Sequence, residues 1–311
     1  MTTAATTHAA ARAAPVDHSL GMQLRDLFAL SKPRVTLLVL CTTATGVYLA
    51  PGHLSPARMI AALLLTAMTV GAANALNCYL EVDSDGQMLR TRGRPLPAGR
   101  LEPKSGLLMG MSLAAFAIPA LTFILNPLTG FLGLFALVSY VWIYTPLKKL
   151  TPKALVVGAV PGAIPPLMGW TAVTGQMDLG GLWLFLLMFV WQLPHFLAIT
   201  LYLKDDYARG GLRVLPVVRG EKVARVHLLL YTLLLVPVSL AFTPLKMAGN
   251  AYLAVAVLLG AGFLWYALSL QRPPADAVAG QRQARKVFLY SIAYLTVLFG
   301  ALLLDSVHGR I

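Results

Sequence analysis

Charged residues are scarce in this sequence. They make up 12% of its 311 residues and only 12 are acidic, while 58% of the residues are hydrophobic and the mean hydropathy is +0.72. This composition is too apolar for an ordinary soluble domain and is typical of a protein that crosses the membrane several times. The formal net charge of +13 therefore does not indicate nucleic-acid binding, because basic residues of membrane proteins collect in loops on one side.

Cysteine is also rare. Cys41 and Cys78 both lie in or at the end of apolar stretches, which excludes a disulfide framework and a zinc site. The first 26 residues are rich in Ala and Thr and lack the apolar core of a secretory signal peptide. We therefore predict a disordered cytoplasmic tail over residues 1–30 and a single transmembrane domain over residues 31–311.

Long apolar runs dominate the rest of the chain. Each is long enough to cross about 30 Å of hydrocarbon as a helix. They predict an all-α polytopic membrane protein with about nine transmembrane helices. The runs cover residues 35–50, 57–80, 105–125, 127–145, 154–174, 181–202, 226–243, 250–270 and 287–304.

The basic residues predict how these helices are oriented. When the nine runs are threaded in turn, all of the 25 Lys and Arg residues lie on one side except Arg58, Lys246 and Arg310. Because basic loops stay in the cytoplasm, the N-terminus and the loops that carry these residues are predicted to be cytoplasmic. The short N-terminal tail favours a bacterial inner membrane.

A polar cluster ends the second apolar run. On a helix of about 100° per residue, Asn77, Glu81 and Asp85 share one stripe, whereas Asp83 points elsewhere. Several arginines follow within residues 90–94. Oxygen ligands at the end of a membrane helix, next to arginines, indicate a site for a divalent cation that carries a phosphate-rich substrate.

A second acidic cluster ends the sixth run, on the same predicted side. His195, Tyr202 and Asp206 lie within roughly 40° of one another on a helix, while Asp205 lies off their stripe. Ionisable side chains in membrane helices usually face a cavity and work there. Since carboxylates repel a diphosphate, two acidic clusters beside basic residues predict bridging Mg²⁺ and ionisation of a diphosphate ester.

The two clusters resemble the motifs of a known family, the UbiA-type intramembrane prenyltransferases. The first family motif is Asn-x-x-x-Asp-x-x-x-Asp, and here Asn77, Glu81 and Asp85 match it with Glu in the middle position. The second is often Asp-x-x-x-Asp, and here it is Tyr202 and Asp206, with one carboxylate fewer. The resemblance implies a nine-helix bundle around a central cavity open to the cytoplasmic side.

Further stretches resemble the members of this family that use heme b as the acceptor. The resemblance implies transfer of the farnesyl group of farnesyl diphosphate to a vinyl group of heme b, with addition of water, giving heme O. Mg²⁺ is the implied cofactor, the bilayer is the environment, and contact with a heme A synthase is left open. The stretches are residues 31–35, 90–97, 144–151, 162–170, 191–196 and 206–216.

The resemblance also implies roles for single residues, carried over by motif, charge and position. The metal role falls to Asn77, Glu81, Asp85 and Asp206, and Tyr202 is grouped with them as catalytic. Diphosphate contacts fall to Arg34, Arg90, Arg94, Lys148 and Lys204. Residue type alone suggests that the porphyrin contacts His195, as an axial ligand, and Trp170, as a flat stacking surface.

Two other functions stay open on the sequence. A prenyltransferase of the same family acting on an aromatic acceptor such as 4-hydroxybenzoate would share both acidic clusters. A cation-coupled transporter also combines broken helices with carboxylates, but it places them near the middle of the membrane. Glu81, Asp85 and Asp206 fall at one membrane face, which favours the enzyme.

Overall fold

A computed structural model describes residues 19–272 and 274–306. This part of the chain is almost entirely helical and forms no β-sheet, as predicted. Its helices are α1 Leu20–Leu30, α2 Pro33–Leu49, α3 Pro56–Leu80, α4 Val82–Gln87, α5 Pro103–Leu125, α6 Pro127–Leu147, α7 Ala154–Thr174, α8 Leu179–Tyr202, α9 Lys204–Arg209, α10 Leu215–Val218, α11 Glu221–Leu240, α12 Asn250–Ser269 and α13 Ala277–Leu304.

Eight of these helices are each long and apolar enough to cross a membrane: α3, α5, α6, α7, α8, α11, α12 and α13. The pair formed by α1 and α2, bent by 48°, makes a ninth candidate if it counts as one span. The prediction of about nine membrane helices is confirmed. α2 alone is 17 residues long, or about 26 Å at 1.5 Å per residue, which is shorter than the hydrocarbon core of about 30 Å.

Helix α1 corrects the predicted disordered tail. Residues 1–18 of that tail lie outside the part of the chain that the structure describes, but Leu20–Leu30 forms a helix. Leu30 is 1% exposed and Asp26 pairs with Arg100 at 2.9 Å. The apolar and acidic side chains of this segment therefore bind it to the domain, although its composition resembles that of a tail.

Close backbone contact fixes α7 in the middle of the bundle. A side chain on Gly46 of α2 would collide with the backbone oxygen of Pro166, and one on Gly169 would collide with that of Thr43. Small residues let two membrane helices approach in this way. α7 continues through its three internal prolines. In its most apolar stretch of 18 residues, 72% of the residues are buried.

The loops after α3, α6 and α8 meet at one end of the bundle. The backbone N–H of Arg213 donates to the carbonyl of Lys148 at 2.9 Å, and that of Leu89 donates to Asp206 Oδ1 at 2.7 Å. These two hydrogen bonds join loops that are far apart in the sequence. The two acidic clusters predicted from the sequence thus lie at the same end of the molecule.

Candidate active site

The end of α3 places two polar side chains of the first motif between two lysines. The Asn77 amide donates a hydrogen bond to Glu81 Oε2 at 2.8 Å, and its Oδ1 accepts one from Lys32 Nζ at 2.9 Å. Lys148 Nζ lies 2.5 Å from the other carboxylate oxygen, Glu81 Oε1. Asn77 and Glu81 are 2% and 6% exposed, so water screens these charges little and their interaction is strong.

Asp85 lies one turn further along, in α4, and binds the basic loop that follows. Its Oδ2 is 2.7 Å from Arg94 Nη1, and its backbone carbonyl accepts a hydrogen bond from Thr91 Oγ1 at 2.8 Å. Asp83 is exposed, as its position off the stripe predicted. The loop thus folds back and brings one arginine of the basic run onto the motif.

We call these residues the acid–base cluster. It holds three cationic side chains and two carboxylates, which leaves one excess positive charge. This balance favours an anionic ligand. The cluster consists of Lys32, Asn77, Glu81, Asp85, Arg94 and Lys148.

Asp206, in the short helix α9, ties the second motif to the loop of the first. Its Oδ1 accepts the backbone N–H of Leu89, its Oδ2 accepts that of Arg90 at 3.3 Å, and Arg209 Nη2 lies 3.2 Å from Oδ1. Burial pushes the pKa of this carboxyl up, but the hydrogen bonds and the charge of Arg209 outweigh burial and leave the pKa below its ordinary 3.8. Asp206 is therefore held as a carboxylate.

The structure assigns the lysine before α2, and not Arg34, to the cluster. Arg34 is exposed, whereas Lys32 reaches Asn77 from the kink between α1 and α2. The φ of Lys32 is +51°, in the left-handed region, and Pro33 begins the next helix. A residue before proline avoids the helical region, so the Lys-Pro pair was the available signal for this kink.

Two hydroxyl groups also belong to the site and were missed from the sequence. Thr145 Oγ1 lies 3.2 Å from the Asn77 amide nitrogen. Burial raises the pKa of the Tyr207 hydroxyl, and the positive charges of Arg90 and Lys148 act on it in the opposite direction. Both lie inside stretches quoted for the family resemblance, but nothing in those stretches distinguishes them from their neighbours.

The side chains of three predicted site residues do not reach the acid–base cluster. Lys204 pairs with Glu221 at 3.1 Å, the Tyr202 ring lies under Arg285 at 6.0 Å, and the Arg90 side chain is exposed. The predicted stripe through Tyr202 and Asp206 assumed one continuous helix. The helix breaks at Leu203, whose φ and ψ are −111° and 27°, so the residues before and after it face different neighbours.

The structure separates the two predicted porphyrin contacts. Trp170 is 3% exposed and packs against Gly180 and Gly181, near the end of the bundle opposite the acid–base cluster. The indole is enclosed by its own core, and its role as a stacking surface stays a prediction. His195 is half-buried in α8, and its role stays a prediction.

The carboxylates do not converge on a ready metal site. Within residues 19–272 and 274–306, no group of three or more His, Cys, Asp and Glu side chains could hold a metal ion. Glu81 and Asp85 each face a basic side chain instead. The donor set nevertheless fits Mg²⁺, since carboxylate and amide oxygens are the ligands that Mg²⁺ prefers.

Fold and site together define an all-helical membrane protein with a buried cluster of paired acidic and basic side chains at one end of its bundle. Residues 39–292 match the UbiA prenyltransferase family, and the chain belongs to that family. The family resemblance and the prediction of a prenyltransferase are confirmed.

Curated relatives and solved structures agree with this assignment. A protoheme IX farnesyltransferase of an Anaeromyxobacter species is 52% identical over 304 residues, which cover 98% of this chain and 99% of the relative. One from Myxococcus xanthus is 52% identical over 289 residues, with 93% and 97% covered.

Among solved structures, a digeranylgeranylglyceryl phosphate synthase superposes with a TM-score of 0.76 at 15% identity, covering 91% of this chain and 98% of that chain. A UbiA homolog from Archaeoglobus fulgidus bound to GPP and Mg²⁺ superposes with a TM-score of 0.63 at 16% identity, with 89% and 99% covered. These two likenesses support the fold.

Proposed function

We propose that this protein transfers the farnesyl group of farnesyl diphosphate to a vinyl group of protoheme IX, with addition of water to give heme O. The observation that carries the proposal is the acid–base cluster, in which buried Glu81 and Asp85 are paired with Lys148 and Arg94 at the end of a membrane bundle. Relatives with the name protoheme IX farnesyltransferase, at 52% identity over nearly the whole chain, support the choice of substrates.

When the diphosphate binds, its phosphate oxygens would replace the carboxylates as partners of the basic side chains. The carboxylate and amide oxygens of Asn77, Glu81, Asp85 and Asp206 would hold Mg²⁺, which supplies positive charge against the charge of the departing pyrophosphate. With these oxygens as ligands of the metal, the basic side chains that face them in the structure would be available for the phosphate oxygens. Lys32, Arg94 and Lys148 are the side chains placed to make these contacts.

Loss of pyrophosphate leaves an allylic cation on the farnesyl chain. The electron pair of the heme vinyl group forms the new carbon–carbon bond, the resulting cation takes up water, and a proton is released. Thr145 lies in the same site, where its hydroxyl accepts from the Asn77 amide and donates to the Tyr140 carbonyl. The lipid-facing helices leave the apolar farnesyl tail in surroundings that match it.

Orientation follows from the charges of the loops. We propose that the acid–base cluster faces the cytoplasm of a bacterium, at the mouth of a cavity within the inner membrane, because the basic residues collect on that side. A water-soluble diphosphate head then reaches the site from the cytoplasm. Docking of a heme A synthase, which would accept the product, stays a prediction.

The test is direct analysis of the product. Purified protein is incubated with heme b, farnesyl diphosphate and Mg²⁺, and the heme is examined by mass spectrometry for added farnesyl and water. A parallel reaction replaces heme b with 4-hydroxybenzoate. A farnesylated heme supports the proposal, whereas farnesylated 4-hydroxybenzoate with unmodified heme would replace it with the aromatic alternative. No product from either acceptor would refute prenyl transfer to both.

A further inference from the structure

The imidazole of His195 is held between α8 and α13 by one hydrogen bond and by contacts with neighbouring rings. Its Nδ1 lies 2.7 Å from Ser291 Oγ. Its ring stacks on Trp191, with centroids 4.6 Å apart and planes 21° apart, and Phe288 lies on it at 5.0 Å. Trp191 Nε1 also donates to the Ser291 carbonyl at 2.8 Å. The position and the plane of the imidazole are therefore both fixed.

Hydrogen-bond accounting links the serine to the tautomer. A serine hydroxyl has one hydrogen to donate. The Phe288 carbonyl, which can only accept, lies 2.6 Å from Ser291 Oγ. When the hydroxyl donates there, its oxygen is the acceptor towards His195, which is the tautomer with the proton on Nδ1 and the lone pair on Nε2.

The Nε2 atom has no hydrogen-bonding partner among the residues that the structure describes. The side chain is half-buried within the membrane-spanning part of α8. An ionisable side chain at such a depth usually serves a function. A neutral imidazole with a free nitrogen, oriented through its other ring nitrogen, is the arrangement found in metal-binding histidines.

We propose that Nε2 of His195 is an axial ligand of the iron of the porphyrin substrate, and that Ser291 is the positioning residue that keeps this nitrogen unprotonated. The inference rests on the proposed function only for the identity of the ligand as heme b. The ring plane and the free Nε2 follow from the contacts of α8 and α13, and the tautomer is what the Ser291 variants test.

The first test uses heme b alone, without farnesyl diphosphate, so that no turnover is needed. The absorption spectrum of heme b bound to the wild-type protein is compared with that of His195→Ala. We expect the Soret band to lose the signature of histidine ligation in the variant. Free imidazole added to His195→Gly should restore it. A spectrum unchanged in His195→Ala would overturn the proposal.

His227 offers a matched control. It is another half-buried histidine in a membrane helix, and its Nδ1 lies 2.9 Å from the carbonyl of Val223 in its own helix. His227→Ala is expected to keep the wild-type heme spectrum. Loss of histidine ligation in His227→Ala, together with its retention in His195→Ala, would show that His227 is the ligand and would contradict the proposal.

The role of Ser291 is tested with one variant that removes its hydroxyl and one that keeps it. Ser291→Ala removes the acceptor of Nδ1–H, so heme b affinity is expected to fall about 10- to 100-fold, as for other groups that orient metal ligands. Ser291→Thr keeps the hydroxyl and should keep the affinity. Binding of iron-free protoporphyrin IX should change in neither variant, because it needs no axial ligand. Equal losses for heme b and the iron-free porphyrin would show a packing role and overturn the assignment.

Failure of this inference and failure of the proposed function give different results. If His195→Ala keeps the heme spectrum while farnesylated heme still forms, the ligand assignment is wrong and the function stands. If the wild-type protein shows histidine-ligated heme but forms no farnesylated product, the heme site stands and the transfer reaction is refuted.

Discussion

Two charged clusters lie at the loop end of the bundle, and they differ in how deeply their ions are buried. In the acid–base cluster the side chains of Glu81 and Lys148 are 7% and 17% exposed. In the second, the side chains of Lys204 and Glu221 are 36% and 39% exposed, beside a cavity of about 150 Å³. Exposed ion pairs contribute about 0–1 kcal/mol, whereas burial of an ion pair costs desolvation energy that its attraction does not always recover.

The difference separates structural charge from functional charge. The Lys204–Glu221 pair joins the start of α9 to the start of α11, close in the sequence to the second acidic cluster but not part of the contacts of Asp206. A buried pair is an inefficient way to stabilise a protein, and its presence calls for another reason. The binding of an anionic substrate, proposed above, is such a reason, and of the two ion-pair clusters compared here it applies to the acid–base cluster.

Neutralising one carboxylate in each cluster tests most directly whether the buried and the exposed charges differ in function. Asp85→Asn keeps the shape of a buried side chain but removes the charge that pairs with Arg94. We expect the rate of heme farnesylation to fall by about 10²-fold or more, the size of effect seen when one preorganised electrostatic contact is lost. The rate is measured by single-turnover quenching and mass analysis of the heme.

Glu221→Gln is the control, since it removes a carboxylate that pairs with the more exposed Lys204 and with the buried Arg225, both outside the acid–base cluster. Its farnesylation rate should stay within about twofold of wild type, because neither partner contacts that cluster, and exposed pairs such as Lys204–Glu221 contribute little. Equal losses in Asp85→Asn and Glu221→Gln would mean that burial does not distinguish the clusters.

The lysines allow a second comparison of the same kind. Lys148→Met removes the cation that faces Glu81, and the KM for farnesyl diphosphate should rise about 10- to 100-fold, in line with loss of a charged hydrogen bond. Lys204→Met should leave the KM nearly unchanged, because Lys204 faces Glu221. A larger rise in KM for Lys204→Met than for Lys148→Met would restore the role assigned to Lys204 from the sequence.

A smaller effect is expected at the position where this chain departs from the family motif. Glu81 contacts Lys148 with one oxygen and Asn77 with the other, so it spans two partners. Glu81→Asp keeps the charge but is one methylene shorter, and it should lose one of the two contacts. We expect a loss of activity of up to about tenfold, equivalent to about 1.4 kcal/mol, which is the upper end of the range for one hydrogen bond. A rate above that of wild type would show that Asp suits this site better.

The sequence predicted the parts of the structure that depend on local composition. Apolar length defined the membrane helices, and helical spacing correctly separated Asp83 from Asn77, Glu81 and Asp85. It could not predict contacts set by the packing of distant segments. Nothing local to Trp170 shows that two glycines of the next helix enclose its ring.

Helix breaks were the other source of error. A single break at Leu203 turned Tyr202 and Lys204 away from the cluster, while Asp206 still reached it through Leu89. The kink at Lys32 had the opposite effect and brought a lysine into the site. Angular spacing holds only along an unbroken helix, so predictions across a helix end need the structure.

Asp206 joins α9 to the loop after α4, because its carboxylate accepts the backbone N–H groups of Leu89 and Arg90. Its folded pKa lies below the ordinary 3.8, so the unfolded chain binds its proton more readily than the folded one. The stability it contributes is therefore complete above about pH 4 to 5 and is lost as the pH falls through the folded pKa. Asp206→Asn lacks this contribution at every pH.

Thermal unfolding in detergent should therefore show wild type above Asp206→Asn by about 1–3 kcal/mol at pH 6, the range for hydrogen bonds to a charged group. The gap should shrink below pH 4. Asp205→Asn is the control, because the neighbouring carboxylate is exposed, and it should follow the wild-type curve. A gap between wild type and Asp206→Asn that is the same at pH 3 and pH 6 would show that the charge of Asp206 does not hold the loop.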